Sequence, residues 1–468
     1  MSDFLFNEFN PVSAKQWKQK IQVDLKGADY NETLLWETNV GFKVKPFYHQ
    51  DDVEQLSIPY ERNSTKVCQS IFVSNEKTAN FLAKDALKRG ADSIQFEAKE
   101  PFDIDVLLSN FIASEAKQPI KIHFKLNFLS KNFLSDLIEK TKRYRISLNI
   151  DPIGNLSKTG NWFYNQKKDF QILEETVNKV AENTSVLSVD TSIYQNAGAT
   201  SVQQLAYALA HGNEYLNYLD ASNVIQSVSE ESQIQFHFSV GSNYFFEIAK
   251  LRAFRVLWRL LCDEYNLDSK IFREPHIFVT PSLRNKTLYD YNVNMLRTTT
   301  ECMSAVLGGA TTVSNSAYDS IYHKKNEFGE RIARNQLLIL ENESYFEEAV
   351  HFADGSYYIE TLTKQIAEKA LTIFKDIEKS GGFLKQLKEG TIQRKVSESA
   401  EKEQLQFDKG EEVLLGTNKH PNQNDRMKDE IELYPFVKTN PRKTEIQPII
   451  PKRLAEKLEQ KRLEQEKN

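Results

Sequence analysis

Between residues 67 and 315, short β-rich runs alternate eight times with helical patterns, and this alternation limits the fold of the chain more than any other feature. The runs are Val67–Val73, Ser93–Phe96, Ile120–Phe128, Arg145–Asp151, Ser185–Thr191, Gln233–Val240, His276–Thr280 and Ala310–Ser314. The intervening segments carry apolar residues at helical period, most clearly Phe245, Ile248, Leu251, Phe254, Leu257 and Leu261. Alternating strands and helices imply parallel strands joined by right-handed crossovers, and eight such units in about 250 residues match the size of a closed barrel. An open doubly wound sheet would carry a Gly-rich phosphate turn after its first strand, and none is present. The expected fold is α/β, a (β/α)8 barrel over residues 67–320.

The flanks differ in character. Residues 1–66 contain a helix over Lys15–Leu25 and polar stretches without a βα unit, which predicts an arm. Its aromatics Phe4, Phe6, Trp17, Trp36, Phe47 and Tyr48 make it a candidate subunit interface. Residues 321–418 carry helical patterns over Phe328–Leu340, Thr361–Lys379 and Thr391–Gln406, predicted to pack on the barrel. In residues 419–468 charge is dense and apolar anchors are few, which predicts a partly disordered tail ending in a solvated helix over Lys452–Lys467. A net charge of −5 supplies no basic field for nucleic acid, so no nucleic-acid partner is expected. The start of the chain lacks a basic, then apolar, export signal, and no run of about 18 apolar residues occurs, so a cytoplasmic location without membrane contact is expected. The three cysteines, Cys68, Cys262 and Cys302, are too scattered for a disulfide framework and fit a reducing compartment.

Barrel enzymes place their chemistry at the C-terminal ends of the strands. Those positions hold Ser74, Asn75, Asp151, Ser192, Tyr194, Gln195, Asn196, Ser242, Asn243, Thr280, Ser282, Ser314 and Asn315. The candidate ligand contacts at the mouth are Asp151, Tyr194, Gln195, Ser242, Asn243 and Thr280. The rim is polar but offers no convincing pair of titratable groups for acid–base or nucleophilic work. Asp151 is the best single carboxylate, although an aspartate before a loop more often closes a turn. His237 shares a strand face with Gln235 and Ser239 and reads as a hydrogen-bonded barrel histidine, with no acidic partner visible in the sequence. His49, His123, His211, His276, His323, His351 and His420 show no metal-ligand spacing, and no metal site is expected. Gly308-Gly309 reads as a helix C-cap rather than a phosphate loop, and Tyr357-Tyr358 as helix-packing aromatics after a turn.

Several of these stretches together resemble a known family. Asn294-Met295-Leu296-Arg297-Thr298-Thr299, Ala305-Val306-Leu307-Gly308-Gly309, Arg331-Ile332-Ala333-Arg334-Asn335, Gly355-Ser356-Tyr357-Tyr358-Ile359-Glu360 and Phe245-Phe246-Glu247-Ile248-Ala249-Lys250-Leu251-Arg252-Ala253 are similar to the barrel of the methylmalonyl-CoA mutases. Trp17, Asp24-Leu25-Lys26-Gly27-Ala28-Asp29 and Val44-Lys45-Pro46-Phe47-Tyr48 resemble its small-subunit branch, and the similarity runs from about residue 11 to about residue 420. Catalytic members carry Ser-Gly-Tyr-His-Met-Gln-Glu-Ala-Gly-Ala. The corresponding stretch here puts Ser192 at the tyrosine and Ile193 at the histidine. A second family tyrosine falls on Ser70 and a second histidine on Ser314. The cobalt-ligating Asp-x-His-x-x-Gly of the family's cobalamin domain has no counterpart in these residues.

The resemblance therefore implies a small subunit with no intact catalytic set and no cofactor of its own. Adenosylcobalamin would sit in a cobalamin-binding large subunit. The heterodimer would serve propanoate metabolism as an isomerase that converts (R)-methylmalonyl-CoA to succinyl-CoA, and the isolated chain would be inactive. The readings that remain open are a subunit of a related acyl-CoA mutase, a scaffold or sensor that binds a CoA thioester, and a free-standing enzyme using the Ser/Thr/Asn rim with Asp151.

Overall fold

The structure is a computed structural model that describes residues 8–53, 56–58, 65–111, 120–180, 184–224, 233–265, 274–348, 351–438 and 441–467. Two short strands, β1 (Trp36–Glu37) and β2 (Lys43–Val44), pair antiparallel. Eight parallel strands follow: β3 (Lys66–Phe72), β4 (Ser93–Ala98), β5 (Lys121–Leu126), β6 (Arg145–Ile150), β7 (Thr184–Asp190), β8 (Gln235–Val240), β9 (His276–Pro281) and β10 (Thr312–Val313). They close into one barrel in chain order, because Thr312 of β10 pairs with Lys66 of β3 on one side and Phe278 of β9 on the other. Closure leaves the sheet without an edge. All eight predicted runs coincide with barrel strands, and the (β/α)8 expectation is met.

The wall between strands and helices is aromatic. Phe236 and Phe238 of β8 meet Phe254 and Trp258 of helix Tyr244–Glu264 at centroid distances of 4.6 to 4.9 Å, all four fully buried. On the mouth side, polar residues at strand ends start the next helix. Asn75, Ser130, Asp151 and Thr200 each accept a bond from a backbone N–H of the first turn. Two of the polar residues read along the rim, Asn75 and Asp151, are therefore helix caps. Gly309, at φ +80°, ends helix Val293–Leu307 in the left-handed conformation that glycine adopts without strain.

Helices Glu327–Asn342, Tyr357–Lys379, Phe383–Lys388 and Thr391–Lys409 wrap the outside. Tyr357–Lys379 lies against helices Ser201–Ala221 and Tyr244–Glu264, locked by buried Arg252, which binds Glu360 at 2.7 Å and also Asp354. Tyr358 packs edge-on to Phe245 and tilted on Tyr48, as expected of packing aromatics.

The expectation of a partly disordered tail requires correction. Residues 441–455 form a strap whose backbone hydrogen-bonds to Gly160, Ser157, Asn196 and Arg284. Helix Glu456–Lys467 then buries Glu459 and ties Glu466 to Tyr289 at 2.6 Å. One face of the helix is thus bound to the rest of the chain, while Lys457, Lys461 and Glu464 remain exposed. In the arm, Trp36 and Phe42 pack on Phe246, whereas helix Ala14–Asp24 buries no residue. Phe4 and Phe6 lie outside the described residues. Among the described residues no helix is long and apolar enough to cross a membrane.

Candidate functional site

At the C-terminal ends of β4 to β8 lies a cavity of about 740 Å³, including the part open to solvent. Lys125, Asn127, Asn149, Asp151, Lys158, Asp190, Ile193 and His237 are among its lining residues. This is the end at which a barrel presents chemistry.

The sequence reading of this rim, which found no titratable pair, needs correction. Asp190 and His237 are direct partners across β7 and β8, with Asp190 Oδ1 at 3.1 Å from His237 Nδ1. His237 Nε2 lies 2.9 Å from Thr280 Oγ1 on β9. Burial pushes the Asp190 carboxyl up, but the charge and hydrogen bond of His237, with help from Lys125 and Ser192, outweigh it and hold the group well below the usual carboxylate range. With Nδ1–H given to Asp190, Nε2 accepts from the Thr280 hydroxyl when the ring is neutral and donates to it when protonated. The three groups can thus hold a proton at the mouth. The strand faces were legible in the sequence. What was missed was that neighbouring parallel strands set their end residues side by side, which brings Asp190 to His237.

Asp151 is engaged on every side. It accepts from Gly154 N at 2.8 Å, Asp190 N at 2.7 Å and Tyr215 Oη at 2.6 Å, and meets His211 Nε2 at 2.9 Å. These bonds fasten β6, β7 and helix Ser201–Ala221 together. Tyr194, read as a mouth contact, is instead fully buried: its hydroxyl meets His211 Nδ1 at 3.0 Å and its ring packs on Phe383. Gln195 is also turned inward, accepting from Ser282 Oγ at 2.9 Å. Ser242 and Asn243 are exposed at the rim.

The positions that the resemblance set against the family's catalytic residues are only partly brought together. Ile193 is buried against the cavity, and the Ser192 hydroxyl donates to Asp190. Ser70 lies next in the circuit, its hydroxyl 3.4 Å from Gln95 Oε1 of the cavity wall. Ser314, buried on β10's end, uses its N–H to bond Val279 O at 2.9 Å. None of the four side chains is a titratable group. Among the described residues no set of three or more His, Cys, Asp and Glu converges as metal ligands.

The barrel floor carries a second polar set. His123 Nδ1 meets Gln235 Oε1 at 2.8 Å, and His276 sits between Lys121 Nζ at 3.3 Å and Thr312 Oγ1 at 3.1 Å. Burial first, then Lys121, pushes His123 down to about 3, while burial, Lys121, His123 and Arg255 push His276 well below the usual histidine range. Both rings are neutral near pH 7.

Comparison with known proteins agrees with this architecture. The sequence profile of the family described as Methylmalonyl-CoA mutase matches residues 139–466, which extends past the limit near residue 420 read from the sequence. The methylmalonyl-CoA mutase small subunit of Porphyromonas gingivalis is 36% identical over 466 residues, covering 92% of this chain and 73% of that protein. The small subunit of Streptomyces virginiae is 31% identical over 281 residues, 59% of this chain and 44% of its own. The methylmalonyl-CoA mutase of Rhizobium meliloti is 27% identical over 472 residues, 90% of this chain but 65% of its own length. With the profile spanning most of the barrel and nearly all of the C-terminal extension, the chain belongs to the methylmalonyl-CoA mutase family.

Proposed function

We propose that the chain is the small subunit of a heterodimeric methylmalonyl-CoA mutase. In this reading the large subunit carries adenosylcobalamin and isomerises (R)-methylmalonyl-CoA to succinyl-CoA, while this chain supports it with a mutase site of its own that has decayed. The observation that carries the reading is Ile193. An alkyl side chain, buried against the mouth cavity, stands where catalytic relatives present a histidine, and it can neither donate nor accept a hydrogen bond. Ser192, Ser70 and Ser314 at the remaining family positions add no acid or base. The two relatives whose names specify a small subunit support the same assignment.

The mouth does not fit the cofactor's demands on a catalytic chain. The radical chemistry belongs to adenosylcobalamin, and a protein partner must supply orienting donors around the substrate, which Ile193 does not. The sequence also contains no Asp-x-His-x-x-Gly to ligate cobalt.

Co-expression with a cobalamin-binding mutase chain tests the proposal. The expected result is a one-to-one complex with mutase turnover, and an isolated chain that retains no corrin absorbance after dialysis. Stoichiometric corrin on the isolated chain, or failure to associate, would overturn it.

A further inference from the structure

On the outside of the barrel, two carboxylates meet at a glycine turn. Helix Tyr357–Lys379 ends in Ser380-Gly381-Gly382, both glycines in the left-handed region at φ +102° and +89°, and helix Phe383–Lys388 starts at once. Glu214, on helix Ser201–Ala221, reaches into this turn. Its Oε1 accepts from Leu384 N at 2.8 Å and stands 2.8 Å from the point that a Cβ on Gly382 would take, so any side chain there would meet the carboxylate. Glu378, in the last turn of helix Tyr357–Lys379, shares the place. Its Oε1 is buried without a hydrogen-bond partner. An ionised oxygen without donors is costly to bury, and a protonated one is less so.

The charged and titratable groups that the packed elements bring to this turn are Glu214 and Asp220 on helix Ser201–Ala221, Tyr265 after helix Tyr244–Glu264, and Lys385 on helix Phe383–Lys388, with Lys375 and Lys379 on the helix of Glu378 itself. Burial first and Glu214 second push the Glu378 carboxyl up to about 7, with the hydrogen bond of Asn213 opposing. Burial, then Glu378, Asp220 and Glu214, raise the Tyr265 hydroxyl, which stays a neutral donor 2.6 Å from both Asn213 Oδ1 and Asn217 Oδ1. The turn also seats a core residue. Phe383, fully buried, stacks on His211 at 5.5 Å and meets Tyr194 edge-on at 6.0 Å, and His211 in turn holds Asp151.

We propose that Glu214 and Glu378 form a proton-operated latch on the Gly381-Gly382 turn: one shared proton holds the turn and Phe383 against the Tyr194–His211 pair, and its release sets two like charges against each other and loosens both. The latch acts within this chain and needs neither the large subunit nor cobalamin, so it stands apart from the small-subunit assignment. The unfolded chain titrates Glu378 near 4.5, so between that value and about 7 the folded chain holds a proton that unfolding releases. Stability from the latch is therefore full below about pH 4.5 and is lost as pH rises through about 7.

Hydrogen exchange of the full chain, read as protection factors corrected for the intrinsic rate at each pH, tests the latch. From about pH 6 to about pH 8 the protection of residues 380–388 should fall about fivefold or more, while that of the barrel strands holds. Glu378→Gln keeps the shape of the protonated side chain without its charge, so its protection should match that of the parent at the lower pH and not fall. Glu214→Gln, which keeps an oxygen for Leu384 N, should also lose most of the fall. Glu368→Gln, exposed on the same helix as Glu378, is the control and should behave as the parent does. In urea, Glu378→Gln should gain stability relative to the parent as pH rises through about 7. Unchanged protection of the turn in the parent across this range, or an equal fall in both Glu378→Gln and Glu214→Gln, overturns the proposal.

Discussion

His123 and His276 face one another on the barrel floor with ring centroids 5.4 Å apart, both buried and both neutral in the folded chain. Unfolding returns each ring to its ordinary value near 6.5, where it takes up a proton that the folded barrel refuses. The unfolded state therefore binds more protons below that value, and stability falls with decreasing pH. The loss should begin near pH 6.5 and, for His123, continue to about pH 3. Urea unfolding across this range should show the slope, and His123→Leu should flatten it relative to the parent. An identical slope in that variant would remove His123 from the account. Another residue-level prediction concerns Ser192 and Ile193. Ser192→Tyr with Ile193→His restores the family's side chains but no radical source, so the isolated double variant should show no mutase turnover when assayed with (R)-methylmalonyl-CoA. Any cofactor-independent turnover would count against the decayed-site reading. At this scale the sequence was a partial guide. His237 was placed on the inner face by strand alternation, but its bond to Asp190 depends on which strands are neighbours. Tyr194 followed the strand end in sequence yet turns inward, because the short helix Ser192–Asn196 rotates it away from the mouth.

Helix Glu456–Lys467 illustrates how an element can be misread when its partners lie far off in sequence. Its composition is that of a solvated helix, and nothing within the segment reveals that Leu288 and Tyr289 await it. Arg453 Nη1 meets Glu459 Oε2 at 2.7 Å, both groups buried, while Glu459 Oε1 accepts from Leu288 N at 2.7 Å and Arg453 donates to Lys286 O at 3.0 Å. Burial pushes the Glu459 carboxyl up, with Arg453 opposing. Removing one partner of a buried pair strands the other, at a cost of about 3–5 kcal/mol, whereas replacing both with apolar side chains costs much less. Glu459→Ala should therefore expose the C-terminal helix to limited proteolysis at temperatures where the parent resists. Arg453→Leu/Glu459→Leu should resist better than Glu459→Ala alone. Equal sensitivity of the two variants would mean that the pair does not anchor the helix. The barrel strands were legible for the opposite reason: each is a short β-rich run followed by a helical pattern, and eight repeats of one signal reinforce each other.

At the scale of the whole molecule, the proposed heterodimer would divide the arm between this chain and its partner. The structure divides it in two. The β1–β2 hairpin belongs to the barrel, since Trp36 and Phe42 pack on Phe246 at 5.7 Å and Tyr48 on Tyr358 at 5.5 Å. The segment before it does not. Helix Ala14–Asp24 buries no residue, and Phe9, Val12, Trp17 and Val23 are 67%, 55%, 49% and 72% exposed. The capping box of Ser13 with Gln16 nevertheless fixes where this helix starts. A well-capped helix that keeps large apolar groups in solvent is suited to a protein partner, and aromatic anchors concentrate interface energy. If this helix docks the large subunit, deleting residues 1–28 should leave the melting temperature of the isolated chain within about 2 °C, because almost no buried contact is lost. The same deletion should weaken the complex by about thirtyfold or more, the loss of roughly 2 kcal/mol that accompanies truncation of one buried anchor. Trp17→Ala should reproduce much of that effect. Deleting residues 1–45 should instead lower the melting temperature as well, since the hairpin leaves Phe246 uncovered. Unchanged affinity for the large subunit in all three variants would assign the arm to this chain alone.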